Sequence, residues 1–202
     1  MKERNQGIQM NQASNITAFI LAGGKSSRMG TDKGLVSFRG KEMIKWPIDL
    51  LQTIFKNVFI VANRSGYAKF ELPVIEDLLH EKGPIGGLYT ALTTSNTNWN
   101  FIMACDMPFM NSQVINKLIS DCDLHDAVVP YYNNKPEPLA ACYNKSCLTL
   151  IEKQLESGNF KMQDFISELN IKRIDFSSEN ISVNHPFRNL NTMDELNNVS
   201  SL

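Results

Sequence analysis

Apolar residues in this chain form short continuous runs, and between them lie longer stretches in which apolar positions recur every three or four residues. Short runs are typical of strands buried on both faces of a parallel sheet, and the longer spacing is typical of helices that pack on such a sheet. The pattern therefore predicts an α/β fold. The predicted strands are 16–21, 58–62, 72–75, 100–105, 126–132, 139–143 and 171–176, and the predicted helices are 44–55, 85–92, 114–119, 148–155 and 162–169. Ser112 is expected to cap the third of these helices.

The first predicted strand stops abruptly at two glycines, and a basic loop follows. Gly23 and Gly24 allow positive φ angles and a close approach to a ligand, and successive backbone N–H groups in such a turn bind anions. Lys25, Arg28 and Lys33 place three cations within nine residues. Glycines and cations together predict a phosphate-binding loop that suits a polyphosphate, whereas a solvated basic turn is the structural alternative.

Two well-known glycine motifs are excluded for this loop. The segment 24–26 imitates the end of a Walker loop, but that motif requires glycine where this chain has Phe19, inside the predicted strand. The dinucleotide fingerprint also fails, because Lys25 and Arg28 stand where glycines are needed when Gly23 is taken as the first.

The segment 21–33 resembles the signature loop of the molybdenum cofactor guanylyltransferases, within the wider group of Rossmann-like nucleotidyltransferases. The resemblance implies a three-layer Rossmann-like nucleotidyltransferase fold with a mostly parallel central sheet. It also implies that the loop holds the triphosphate of GTP, partly through backbone contacts. The paired glycines resemble the guanylyl branch, since cytidylyl relatives tend to have alanine as the second residue. The resemblance implies that Leu21, Ala22 and Gly23 supply backbone contacts and that Lys33 binds the nucleotide. Gly24 and Lys25 are further predicted GTP-binding residues. For catalysis we expect Lys33 to face the reacting phosphate, and Lys25 and Arg28 to steady the departing pyrophosphate.

Two further strand ends carry candidate nucleotide-binding residues. Asn63 follows the second predicted strand, and Asp77 precedes a second glycine-rich turn at 83–87. Glycines at a helix start leave free N–H groups that favour an anion, although close packing of the helix on a strand also explains them. The resemblance implies that Asp77 and Gly83 bind nucleotide, with Ile85 in place of the family's leucine. It places Asn63 near guanine or ribose, and a helix cap is the alternative.

Asp106 follows the predicted strand 100–105. An isolated aspartate before a turn is most often a cap. Beside a phosphate-binding loop, however, a carboxylate suits Mg²⁺, which proteins commonly hold with one or two carboxylates plus phosphate oxygens. The resemblance identifies Asp106 as a catalytic, GTP-binding ligand of a Mg²⁺ cofactor.

The acceptor side is predicted from the resemblance alone. It implies that Lys135, in the polar arm 133–138, meets the phosphate of the second substrate. Asn189 and Asn191 lie in a segment similar to the family's Asn-x-Asn-Thr-Pro ending, with Met193 in place of proline, and would assist the metal or the acceptor. An exposed hairpin and a plain helix start at Thr192 are the structural alternatives.

The implied reaction is transfer of GMP from GTP to the phosphate of molybdopterin, giving molybdopterin guanine dinucleotide and pyrophosphate. An acceptor phosphate is already anionic near neutral pH, so alignment and charge neutralisation would drive the reaction without a histidine or serine base. Cofactor-delivery proteins and apo-molybdoenzymes are the implied partners. The alternatives are a cytidylyltransferase or a sugar-phosphate nucleotidyltransferase of the same fold, and a non-catalytic nucleotide-binding regulator.

Composition indicates where the protein acts and which binding partners are excluded. The net charge of −1 provides no global field for nucleic acid or an acidic membrane, and no apolar run approaches the ~20 residues that span a bilayer. Four cysteines without metal-like spacing predict reduced thiols in a cytoplasmic protein. The polar residues 1–14 predict a flexible extension, followed by a single nucleotidyltransferase domain at 15–202.

Overall fold

Strands and helices alternate along most of the chain. The computed structural model describes residues 13–23, 32–63, 66–177, 185–192 and 195–196. The strands are β1 (Ile16–Leu21), β2 (Ser37–Phe38), β3 (Lys41–Glu42), β4 (Asn57–Val61), β5 (Val74–Ile75), β6 (Trp99–Ala104), β7 (Ala127–Tyr132), β8 (Lys135–Pro136), β9 (Ala140–Asn144) and β10 (Ile171–Asp175). The helices are α1 (Lys45–Gln52), α2 (Pro84–Thr94), α3 (Ser112–Ile119), α4 (Cys147–Glu156) and α5 (Met162–Ser167).

The central sheet has the strand order β10-β7-β9-β6-β1-β4-β5, and β8 pairs with β7 outside this path. β1 is parallel to β4 and β6, β4 is parallel to β5, and β10 is parallel to β7. β9 is antiparallel to both β6 and β7, so β6 and β7 run in the same direction. Of the strands in the described ranges, only β8 and β9 therefore oppose the others of this sheet, and the predicted mostly parallel sheet is confirmed.

β1 is continuously apolar because both of its faces are covered. Its six residues are all buried. Ala18 and Ile20 point into one apolar cluster, whereas Phe19 and Leu21 point into the other. Alternate residues of a strand face opposite sides, so a strand covered on both faces needs apolar residues throughout.

Helices cover both faces of the sheet. α1 and α3 pack on one face through residues such as Ile48 and Leu118, and α2, α4 and α5 pack on the other through residues such as Leu88 and Phe165. Each such side chain contributes about 1.5–3 kcal/mol when it leaves water. The predicted three-layer arrangement is confirmed.

The strand order reverses at β1, which has β4 on one side and β6 on the other. Ligands of open α/β sheets bind at such a switch point, beyond the carboxyl ends of the strands. Leu21 lies opposite Val61 on β4 and opposite Ala104 on β6. Since these three strands end at the same level, the chain segments that follow them emerge side by side.

Some local details differ from the predictions. Asn111, rather than the Ser112 expected from sequence, caps α3, and its Oδ1 accepts the Val114 N–H at 3.0 Å. Residues 1–12 of the predicted extension lie outside the described residues, so the predicted extension and single domain stay predictions. Among the described residues no helix is both long and apolar enough to cross a membrane.

Candidate functional site

A cavity of about 550 Å³ opens at the carboxyl ends of β1, β4 and β5. One wall is the start of α2, where Gly83 has a φ of +65° and Pro84 occupies the first turn. The end of β1 forms another part of the lining. Six residues predicted from sequence to bind GTP line this cavity, namely Leu21, Ala22, Gly23, Asn63, Asp77 and Gly83.

Hydrogen bonds fix Asp77 at the edge of the cavity. Its backbone N–H donates to Asn63 Oδ1 at 2.9 Å, and its Oδ1 accepts the Leu79 N–H at 3.1 Å and the Thr90 hydroxyl at 2.7 Å. The Thr90 oxygen in turn accepts the Leu78 N–H at 2.9 Å. These bonds tie the segment after β5 to both β4 and α2, so Asp77 belongs to a rigid rim.

The glycines of the second turn have separate roles. A Cβ on Gly86 would lie 2.9 Å from the Leu79 carbonyl oxygen, and one on Gly87 would lie 3.2 Å from the Leu21 side chain. Both glycines therefore permit the close packing that was the structural alternative. Gly83 also lines the cavity and has open space around it, so its position fits the predicted nucleotide contact.

A second group of polar residues lies beside the end of β6. The Lys33 ammonium donates to Asp106 Oδ2 and to Asn191 Oδ1. Lys33 begins a 3-10 turn that is capped by Asp32, and the hydroxyl of the buried Tyr67 donates to the Asp32 carboxylate. We call Lys33, Asp106 and Asn191 the Lys33 cluster.

The C-terminal segment reaches the same place through its backbone. The Leu190 N–H donates to the Asp106 carbonyl at 3.2 Å. Thr192 Oγ1 accepts the Glu195 N–H at 3.2 Å, and Glu195 Oε2 accepts the N–H groups of Asn191 and Thr192 at 2.5 and 3.1 Å. This capping box holds Asn191 beside Lys33, so the expected helix start and the predicted site residue occur together.

Two buried oxygens near Asp106 have no partner. Asp106 Oδ1 and Asn189 Oδ1 accept no hydrogen bond among the described residues. A buried acceptor without a donor destabilises the fold by about 1–3 kcal/mol, which favours a bound cation. Within the described ranges no group of three or more His, Cys, Asp or Glu residues forms a metal site. The donors that are present fit Mg²⁺, which usually takes one or two protein ligands together with phosphate oxygens and waters.

Cys105 stands immediately before Asp106 but does not supply a nucleophile. Burial, and secondarily the Asp106 carboxylate, raise the pKa of its thiol far above the usual range. The thiol therefore stays protonated near neutral pH. The four cysteines are all free, which agrees with the predicted thiols.

Other predicted site residues are not placed in either group. Gly24, Lys25 and Arg28 lie outside the described residues. Lys135 is exposed on β8, and no hydrogen bond or ion pair joins it to the Lys33 cluster in the part of the chain that the structure describes.

Sequence reasoning missed several residues around the site. Tyr67 supports Asp32 across 35 positions, and Thr90 supports Asp77 across 13 positions. His80 and Glu81 line the cavity without being predicted. The contacts of the Tyr67 and Thr90 hydroxyls could not be predicted from the neighbouring sequence. His80 and Glu81 could have been predicted, because they lie between Asp77 and the glycine-rich turn 83–87.

Comparison with known proteins shows which family this chain resembles. A family model described as MobA-like NTP transferase domain matches residues 18–173. A probable molybdenum cofactor guanylyltransferase from Flavobacterium johnsoniae is 33% identical over 186 residues, covering 92% of this chain and 96% of the relative. Another from Natranaerobius thermophilus is 35% identical over 194 residues, covering 90% and 93%.

A solved structure shares the whole architecture. Molybdopterin-guanine dinucleotide biosynthesis protein A from Archaeoglobus fulgidus superposes with a TM-score of 0.75 at 27% identity. The match covers 92% of this chain and 97% of that structure. The similarity therefore includes both the cavity side and the β6–β7 side of the sheet.

Proposed function

Since the chain belongs to the MobA-like NTP transferases, and within them to the molybdenum cofactor guanylyltransferases, we propose that it transfers GMP from GTP to the phosphate of molybdopterin. The product would be molybdopterin guanine dinucleotide, with pyrophosphate as the second product. The observation that carries this proposal is the position of the cavity and the Lys33 cluster at the ends of the adjacent strands β1 and β6.

GTP would occupy the cavity between the end of β1 and the start of α2. An oxygen of the acceptor phosphate attacks the α-phosphorus, and the bond from that phosphorus to the α,β-bridging oxygen breaks as pyrophosphate leaves. The attacking phosphate is anionic near neutral pH, so it needs no base. Catalysis then depends on alignment and on neutralisation of charge.

The Lys33 cluster would provide that charge. Asp106 and Asn189 would hold Mg²⁺ through their two buried Oδ1 atoms, which accept no hydrogen bond from the described part of the chain. When bound, Mg²⁺ withdraws charge from phosphate oxygens. Lys33 would present its ammonium to the reacting phosphate, while Lys25 and Arg28 would steady the departing pyrophosphate, as predicted from sequence.

Pyrophosphate release with a panel of nucleotides tests the proposal. GTP with Mg²⁺ should give pyrophosphate only when molybdopterin is present, and CTP and ATP should give little, because a wrong base leaves buried polar groups unpaired. Preference for CTP would indicate a cytidylyltransferase, and activity with a sugar phosphate would indicate the other transferase alternative. Binding of GTP without any pyrophosphate would indicate a regulator.

The Asp106→Asn variant tests the metal assignment. We expect turnover in limiting Mg²⁺ to fall about 100-fold or more, since the variant removes a charge that is used in the transition state. Asp123→Asn is the matched control, because Asp123 is exposed in the loop after α3. A folded Asp106→Asn protein with the original rate would refute the assignment.

A further inference from the structure

Glu137 is a half-buried carboxylate at the same edge of the sheet as the Lys33 cluster, on the opposite side of β6 from the GTP cavity. Its N–H donates to the Pro130 carbonyl on β7 at 2.9 Å. Two residues later, the Leu139 carbonyl accepts the Ala104 N–H of β6 at 2.9 Å. The backbone of Glu137 is therefore fixed between the ends of β6 and β7.

The side chain of Glu137 shares a face of the sheet with the segment that reaches Asp106. Tyr132 pairs directly with Lys135, so their side chains lie on one face, and Glu137, two residues further, lies on that face too. The Tyr132 ring stacks on His185 at 4.4 Å between ring centroids. His185 lies five residues before Leu190, whose N–H donates to the Asp106 carbonyl. Glu137 therefore lies on the face of the sheet that also carries the segment in contact with Asp106.

None of the residues that the structure describes compensates the charge of Glu137 by direct contact. Its carboxylate makes no hydrogen bond or ion pair within the described ranges, and burial raises its pKa to about 7 against the opposing effect of Lys135. A desolvated carboxylate without donors is unfavourable for the fold, and groups perturbed in this way concentrate at functional sites. Glu137 is only partly buried, so a ligand can reach its side chain.

We infer that the Glu137 carboxylate binds the pterin ring of the acceptor by accepting two parallel hydrogen bonds, from N3–H and from the 2-amino group. This inference rests on the proposed function, which supplies a pterin as the second substrate. The two N–H groups are adjacent on one edge of the ring and match the two oxygens of a carboxylate. Guanine carries the same pair of donors, but the proposed GTP cavity lies at β1, β4 and β5, on the other side of β6.

A paired change in ligand and protein tests this contact. The ligands are 6-hydroxymethylpterin and its 2-oxo analogue, 6-hydroxymethyllumazine, titrated by their own fluorescence. Glu137→Gln should weaken pterin binding by about tenfold, which lies within the range of one bidentate pair. The same change should leave the 2-oxo analogue unweakened, because an amide N–H can donate to the 2-oxo oxygen. Glu152→Gln on the exposed side of α4 is the matched control and should change neither affinity.

Turnover provides a second measurement with the natural acceptor. In Glu137→Gln we expect the KM for molybdopterin to rise about tenfold, with kcat and the KM for GTP unchanged within about twofold. Unchanged pterin affinity together with an unchanged acceptor KM would overturn the inference, and so would equal weakening of pterin and its 2-oxo analogue.

The binding titration contains no GTP, so it separates this inference from the proposed function. Pterin binding that depends on Glu137, without any pyrophosphate release in the turnover assay, would defeat the proposed function and support the contact. Normal guanylyl transfer that Glu137→Gln does not change would support the proposed function and defeat the contact.

Discussion

Lys33 joins two acceptors that are far apart in the chain. Its ammonium contacts Asp106, 73 positions away, and Asn191, 158 positions away. The Lys33 side chain is 19% exposed and that of Asp106 is 11% exposed, so water screens this pair only partly. Because two acceptors hold the Lys33 ammonium in position, it can stabilise negative charge that develops on a nearby phosphate.

Replacing Lys33 with alanine should therefore slow the reaction. We expect kcat/KM to fall by about 30- to 1,000-fold, equal to about 2–4 kcal/mol of transition-state stabilisation, as for the loss of one charge-stabilising donor. Pyrophosphate release measures the effect. Lys153→Ala on the exposed side of α4 removes the same charge elsewhere and should leave kcat/KM unchanged. Equal rates for the two variants would count against a catalytic role of Lys33.

Glu137 should also make the free energy of unfolding depend on pH. Because burial raises the pKa of its carboxyl group from 4.5 to about 7, the folded state binds more protons than the unfolded state between these values. The free energy of unfolding therefore falls as pH rises through this interval, and the loss is complete above the folded pKa. After allowance for solvent screening, the loss is about 1–2 kcal/mol.

Glu137→Gln should remove this pH-dependent loss. We expect the variant to be about 1–2 kcal/mol more stable than the native protein at about pH 8, with the difference shrinking toward pH 4.5. Urea unfolding of both proteins at several pH values measures it, and the comparison cancels groups that titrate alike in both, such as His185. A difference that does not change with pH would show that Glu137 ionises normally.

At the scale of elements, α2 and the segment before it act as one unit. The Thr90 hydroxyl links α2 to Asp77 and Leu78, and the open backbone of Gly86 lets the Leu79 carbonyl approach the helix. The rim of the cavity is thus supported from the middle of the helix as well as from its start.

Thr90→Val should loosen that rim. Removal of the hydroxyl leaves the Leu78 N–H without its partner, and we expect a loss of about 1–2 kcal/mol in stability and a higher KM for GTP with little change in kcat. Thr94→Val on the same helix is the control, because Thr94 is exposed and its hydroxyl bonds only to carbonyls of α2 itself. Similar KM values for the two variants would contradict this role of Thr90.

The elements were predictable from sequence to different degrees. β1 and β6 were predicted within one residue at each end, since a strand covered on both faces must be apolar throughout. The cap of α3 was placed one residue late, because Asn111 and Ser112 are both good capping residues and only the structure shows which one accepts the Val114 N–H.

The site was predictable where it follows strand ends and unpredictable where it depends on distant contacts. Gly23, Asn63 and Asp77 gather at one cavity because parallel strands end at one edge. The support of Asp32 by Tyr67 and the isolation of Glu137 depend on neighbours that folding brings together, and neither changes the local hydrophobic pattern. Resemblance supplied the roles of Lys33 and Asp106, and the structure shows that the two side chains meet.

At the scale of the whole molecule, the proposed GTP site connects most layers of the fold. The cavity is lined by the ends of β1 and β4 and by the start of α2, and the Lys33 cluster adds the end of β6 and the C-terminal segment. A nucleotide that touches both parts would be released when any of these elements unfolds. Its binding energy should therefore appear as stability of the whole protein rather than of one loop.

GTP with Mg²⁺ should raise the melting temperature accordingly. At a concentration about 100 times Kd we expect about 2.7 kcal/mol of added stability, which for a chain of this size corresponds to about 5–10 °C. CTP at the same concentration should shift the midpoint much less if the cavity discriminates between bases. In Asp106→Asn the additional shift that Mg²⁺ gives to GTP should disappear, while Asp123→Asn should keep it. Equal shifts with GTP and CTP would show that the cavity does not select guanine, and a Mg²⁺ contribution that survives in Asp106→Asn would place the metal elsewhere.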